Sequence, residues 1–131
     1  MMPSKGEAAP RGEAFEPSGS SYSQAYLVTQ PQRLLFVSGQ VPADEAGKVP
    51  EGFDAQCRLV WANIARRLAD AGMALTDIAK VHIFLSSRDY RAANTVIRHE
   101  VLGGHSPAIT IIIAEIFDEA WLLEIDVIAC A

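Results

Sequence analysis

Pro107-Ala108-Ile109-Thr110-Ile111-Ile112-Ile113-Ala114-Glu115-Ile116, then a short loop and Leu122-Leu123-Glu124-Ile125-Asp126-Val127-Ile128-Ala129, decide how this chain folds. Read at the two-residue period of a strand, the second run puts Leu123, Ile125, Val127 and Ala129 on one uniformly apolar face. That face belongs under helices, with Leu122, Glu124, Asp126 and Ile128 on the other side. In the first run Ile109, Ile111 and Ile113 share one face, and Ala108, Thr110, Ile112 and Ala114 the other. Both faces of such a sheet are too apolar for water. Helices are therefore expected on one face and a second subunit on the other, with Ile109, Ile111 and Ile113 on the side opposite the helices.

Working back toward the N-terminus, Gly103-Gly104 stops a helix whose inner stripe is Tyr90, Ala93, Asn94, Ile97 and Val101, with Ser86 or Ser87 as N-cap. Before it, Ile78 to Ser86 alternates as a half-buried strand, Val81, Ile83 and Leu85 inward. Phe53, Cys57, Val60, Ile64, Leu68 and Ala71 recur at steps of four and three, which predicts a first helix ended by Gly72. Ala43 to Gly52 reads as a loop. Two β-rich runs, Tyr22 to Thr29 and Arg33 to Ser38, are split by Pro31-Gln32, and their proximity predicts a hairpin. The order is ββαβαββ, an α+β layer with two helices on one face of a sheet.

The chain has 131 residues, enough for one domain. Residues 1–14 are expected to be a loose extension and 15–131 the single domain, since the first twenty residues hold three of seven prolines and three of nine glycines. No run has the length of a membrane helix and the N-terminus has no apolar signal core, so a cytoplasmic protein is expected, without membrane contact. Half the residues are hydrophobic, and mean hydropathy is +0.14. In so short a chain this also predicts apolar surface buried against another subunit. The net charge of −5, with no basic stripe, argues against nucleic acid as a partner. His82, His99 and His105 fall in three elements without metal-ligand spacing, and Cys57 and Cys130 have no CxxC pattern, so neither a metal nor a cofactor is expected. Arg66-Arg67, Arg88, Arg91 and Arg98 read mostly as a solvated face.

Several stretches together resemble one family. Ser21-Tyr22-Ser23-Gln24-Ala25, Val37-Ser38-Gly39-Gln40-Val41-Pro42, Asp77-Ile78-Ala79-Lys80-Val81, Asn94, Pro107-Ala108 and Leu123-Glu124-Ile125 match, in order and spacing, segments of RidA/YjgF proteins, also known as endoribonuclease L-PSP. The resemblance spans Tyr22 to Ala129. It implies a chorismate-mutase-like fold and a homotrimer whose sheets line a central barrel, with ligand pockets between subunits. It also implies hydrolysis of small enamines and imines to carbonyl compounds and ammonia. Carried over singly, the pocket residues are Tyr22, Ser38, Gly39, Asn94 and Glu124. The family's strand arginine is absent, because Ile109 stands in its place.

Glu124 is the candidate general acid/base, since a carboxylate in an apolar strand is costly to bury without a purpose or a partner. Tyr22, Ser38, Gly39, Asn94, Ile109 and Ile111 are the candidate substrate-binding residues; packing is the competing explanation for Asn94, and a simple turn for Ser38-Gly39. Ile109 is expected to point into the intersubunit pocket beside Ile111, a strand's width from Glu124. A floor with an acid and no cation should prefer neutral or cationic ligands, unless another arginine such as Arg98 replaces the lost charge. Two functional classes stay open: an imine-hydrolysing enzyme, and a non-catalytic ligand-binding or regulatory trimer.

Overall fold

The computed structural model describes residues 12–131. Helix α1, Phe53–Asp70, buries Phe53, Cys57, Val60, Ile64 and Leu68 along the expected stripe and adds Gln56 and Trp61 to it. Its end is a Schellman turn. Gly72 takes φ 71°, its N–H bonds Ala69 O at 2.9 Å, and the Met73 N–H bonds Leu68 O at 2.9 Å. Met73 and Leu68 are both buried, so the turn also folds the chain back onto the core.

Six strands form one mixed sheet: β1 Gly12–Pro17, β2 Ser23–Val28, β3 Leu34–Gln40, β4 Ile78–Leu85, β5 Ala108–Ile113 and β6 Leu123–Cys130. The second helix, α2, spans Arg91–Leu102 and is led by a short 3₁₀ turn whose first amide, Asp89 N–H, is capped by Ser87 Oγ. The spatial order is β1-β2-β5-β4-β6-β3. The β2–β5 and β5–β4 pairs are parallel, and the remaining pairs are antiparallel. The ββαβαββ order of the sequence is present, with one more strand in front of it.

That extra strand corrects the expected hairpin. β2 pairs with β1 and β5, whereas β3 pairs with β6 at the opposite edge. The hairpin is β1–β2, turned at residues 18–22, and includes Gly12 to Ala14, which the sequence suggested were loose extension. Residues 1–11 of that extension lie outside the described residues.

The expected facing of β5 is also overturned. Ile109, Ile111 and Ile113 register against Val81, Ile83 and Leu85 of β4. These β4 residues are buried with α1, α2 and β6 in the core, so all three isoleucines face the helices. The helices cover β3, β6 and β4 and stop short of the far end of β5, which leaves Ile111 and Ile113 open on the helix side. The opposite face carries Phe36, Ile128, Glu124, Phe84 and Ile112 around a polar centre. In that centre His82 Nδ1 lies 2.8 Å from Asp126 Oδ1, and Lys80 Nζ donates to Thr110 Oγ1 at 2.9 Å. Phe36 is 70% exposed there, so the uncovered apolar face exists, built from different side chains than expected.

Candidate functional site

The gap at the end of α2 is a cavity of about 370 Å³. Tyr22, Asn94, Ile109 and Ile111 line it together, and so do Arg91 and Arg98. Four of the seven candidate residues thus converge. The helix repeat explains the polar wall: Arg91, Asn94 and Arg98 stand at steps of three and four on one side of α2. Tyr22 comes from the corner before β2, which is pinned to α2. Ser21, at φ 62°, is held by Oγ bonds to His99 Nδ1 (2.8 Å) and to Gly103 O (2.9 Å).

Two side chains in this wall are buried and incompletely satisfied. Asn94 is 1% exposed, and neither its Nδ2 nor its Oδ1 has a hydrogen-bond partner. Arg98 is 3% exposed; its Nη2 donates to Ser20 O at 2.8 Å, while Nε has no partner. Its guanidinium carbon lies 5.9 Å from the centroid of the Tyr22 ring. Burial pulls the Arg98 pKa below the ordinary arginine value, and Tyr22 opposes the shift. Each unmet buried donor or acceptor costs about 1–3 kcal/mol, so a wall with three of them is poised for a polar ligand. The expected cation-free floor is therefore corrected: beside Ile109, Arg98 of the same chain supplies positive charge, and the arginine read as solvated is buried.

Glu124 lies elsewhere. It registers against Phe84 on the helix-free face, with β4 between its strand and β5, so it is neither beside Ile109 nor on the same side of the sheet. Its neighbour is Gly39. A Cβ at residue 39 would overlap Glu124 Oε2, so glycine is what lets the carboxylate approach the backbone here. Ser38 and Gly39 form a bulge where the register of β3 on β6 shifts between Val37 and Gln40. Within one chain, then, Gly39 and Glu124 form one group and the Tyr22–Asn94 cavity another.

Gln56 is a further buried polar residue of structural value. Its Nε2 donates to Pro50 O (3.1 Å) and Ala120 O (3.0 Å), and its Oε1 accepts from Leu122 N–H (2.8 Å). It fixes the loop that delivers β6, and hence Glu124. Cys57 is fully buried, with its thiol pushed up to about 12 by that burial, and so is core. Among the described residues no group of three or more His, Cys, Asp or Glu is set to hold a metal ion, and no helix is long and apolar enough to cross a membrane.

Comparison with known proteins places this architecture. The family described as endoribonuclease L-PSP matches residues 13–131. Protein mmf2, mitochondrial, of Schizosaccharomyces pombe is 35% identical over 96 residues, 73% of this chain and 74% of its own. TdcF of Escherichia coli, named as a candidate reactive intermediate deaminase, is 31% identical over 65 residues, 48% of this chain and 50% of its own. Among solved structures, the Rid-family protein YyfB of Yersinia pestis, itself described as of unknown function, superposes with a TM-score of 0.84 over 93% of this chain and 100% of that one. At 23% identity that likeness concerns the fold alone. With almost the whole described chain covered, and the Tyr22, Val37–Pro42, Asn94 and Glu124 segments in their expected order, this protein belongs to the RidA/YjgF family.

Proposed function

We propose that the protein hydrolyses small imines and enamines to carbonyl compounds and ammonia, at sites completed between the subunits of a homotrimer. The observation that carries this reading is Asn94: a fully buried amide with both polar atoms unmet, in a cavity shared with Tyr22 and two arginines. A polar ligand is what would satisfy it. The separation of Glu124 from this cavity supports the intersubunit part. One chain presents a binding wall on the helix side and a carboxylate on the other face, and a neighbouring copy would bring the second to the first.

In the reaction, an enamine first takes a proton on carbon and becomes the iminium ion, which is the protonated form of the imine. Glu124 accepts a proton from water as the water oxygen bonds to the iminium carbon, and the C=N electron pair moves onto nitrogen to give the neutral carbinolamine. Glu124 then gives its proton to the nitrogen, the C–N bond breaks to release ammonia, and the hydroxyl proton passes to solvent as the carbonyl forms. The similarity to TdcF supports this chemistry. A second reading, a ligand-binding trimer without turnover, is favoured by Ile109 in place of the family's strand arginine.

An amino-acid oxidase with semicarbazide separates the two. The oxidase releases imines that semicarbazide traps, and added protein should lower the semicarbazone yield. An unchanged yield refutes the enzyme. An RNA arm tests the family's ribonuclease description, and no cleavage is expected. Light scattering should give a trimer, and a monomer at micromolar concentration refutes the shared site.

A further inference from the structure

The β1–β2 ribbon has a second hollow at its open end. A cavity of about 180 Å³ lies there, between the ribbon, the 3₁₀ turn that leads into β4 and the end of β6, with Tyr26, Val28, Pro31, Thr76, Asp77 and Cys130 in its lining. Gly12 pairs with Val28 at this end, whereas the turn at residues 18–22 and the α2 cavity lie at the other. The two cavities share no residue. We infer that the cavity at the open end binds a small protonated amine, with Asp77 as its counter-ion and Tyr26 as its hydroxyl partner.

The assignment follows from what the lining offers. Asp77 is acceptor-only, and of its roughly four lone-pair sites it gives one, on Oδ2, to the Ala74 N–H at 2.8 Å. The hydroxyls of Tyr26 and Thr76 can accept as well as donate, and Pro31 has no N–H to give. Among the described residues that line the cavity there is no lysine, arginine or histidine. An ammonium carries three donors and no acceptor, so it complements this set, and its charge matches that of Asp77. A carboxylate or phosphate would meet Asp77 with no cation in the lining to offset it. A bare metal ion finds too few ligands, since no group of three or more His, Cys, Asp or Glu is set to hold one among the described residues. Val28, Pro31 and Cys130 add an apolar side, and the small volume limits the ligand to a body of a few carbons.

Tyr26 is placed in advance. Its ring stands edge-on to His105, with centroids 5.6 Å apart. Its hydroxyl lies so close over β1 that a Cβ at Gly12 would overlap it. Burial, with Cys130 and Asp77 adding to it, raises the phenol above its ordinary pKa, so the group stays a neutral hydroxyl with lone pairs to offer. The net charge of −5 acts in the same direction and favours a cation at this end of the molecule.

Amide NMR titration with n-propylamine, 1-propanol and propionate at neutral pH tests the assignment, because the three probes have similar size and different charge. The amides of Tyr26, Val28, Thr76, Asp77 and Cys130 should shift saturably with propylamine, more weakly with propanol, and not with propionate. Asp77→Asn keeps an acceptor for the Ala74 N–H and removes only the charge. It should weaken propylamine by about fivefold to tenfold and leave propanol unchanged. If Asp77→Asn does not fold, Thr76→Lys decides: at an exposed position it sets an ammonium of the chain itself at the cavity, and it should abolish the propylamine shifts. No saturable shift with propylamine, shifts confined to other residues, propionate binding as tightly as the amine, or undiminished affinity in a folded Asp77→Asn or Thr76→Lys would each overturn the assignment. None of these readouts involves imine hydrolysis, so this site and the proposed reaction stand or fall separately.

Discussion

Asn94→Leu should make the protein more stable. The wild-type amide sits in the interior of α2, 1% exposed, with a donor and an acceptor both unpaired. An unmet buried polar group costs about 1–3 kcal/mol, and leucine removes both while keeping the same branched skeleton. Leucine is also the better helix former, by a few tenths of a kcal/mol. Against this stands some crowding, which the adjoining cavity of about 370 Å³ can absorb. The net expectation is a gain of about 1–3 kcal/mol, or a urea midpoint higher by roughly 1 M at the slope usual for small domains. Urea denaturation of both proteins at matched concentration is the assay. Asn94→Ala should gain less, because it leaves a larger void. A midpoint that falls by 1 M or more would show that the amide is satisfied in the folded protein, and the view of Asn94 as a group held ready for a ligand would be wrong.

Three other perturbations follow from the geometry. Gly39→Ala places a methyl on the Glu124 carboxylate at a backbone angle that alanine tolerates, so Glu124 should swing away. Stability should change by less than about 1 kcal/mol, while imine hydrolysis drops about a hundredfold; parallel denaturation and semicarbazone assays report both. Gln56→Ala removes three bonds to Pro50, Ala120 and Leu122, and should cost about 2–4 kcal/mol in chemical denaturation. Finally, Cys57 stays protonated when folded up to about 12, whereas the unfolded thiol ionises near its ordinary value. The folded state therefore holds the extra proton between those values, and stability falls as pH rises, by at most about 1.4 kcal/mol per unit. Cys57→Ala should flatten the decline in denaturation midpoints measured from about pH 8 to about pH 10.5.

Periodicity was sufficient where one element meets one core. The stripe of α1 and the alternation of β4 and β6 are written in steps of three, four and two, and the structure follows them. Period two does not say which face is which, however, and β5 carries isoleucine on both parities, at 109, 111, 112 and 113. Only the register against Val81, Ile83 and Leu85 decides, and that is a long-range fact. Strand partners were hidden for the same reason, since β2 and β3 are adjacent in sequence and lie at opposite sides of the sheet. Arg98 was legible in principle: it follows Asn94 by four residues and Ile97 by one, on the buried side of α2. Against that spacing stands the general rule that arginines are solvated. Nothing local links Gly39 to Glu124, eighty-five positions apart.

The corner from Ser20 to Ser23 joins two parts of the molecule that would otherwise move separately. It includes the turn that closes the β1–β2 ribbon, and Arg98 and His99 grip it from α2 through Ser20 O and Ser21 Oγ. Farther out, the ribbon meets β5 at the single register pair Ser23–Ala108 and rests Tyr26 edge-on against His105. Such an edge opens at lower free energy than the central strands. Because the guanidinium that would hold a ligand also holds this corner, occupancy at the cavity should be felt as stiffness in the ribbon. Amide hydrogen exchange would then slow along β1 and β2 when the cavity is filled, while β4 and β6, already locked in the core, keep their own slow clock.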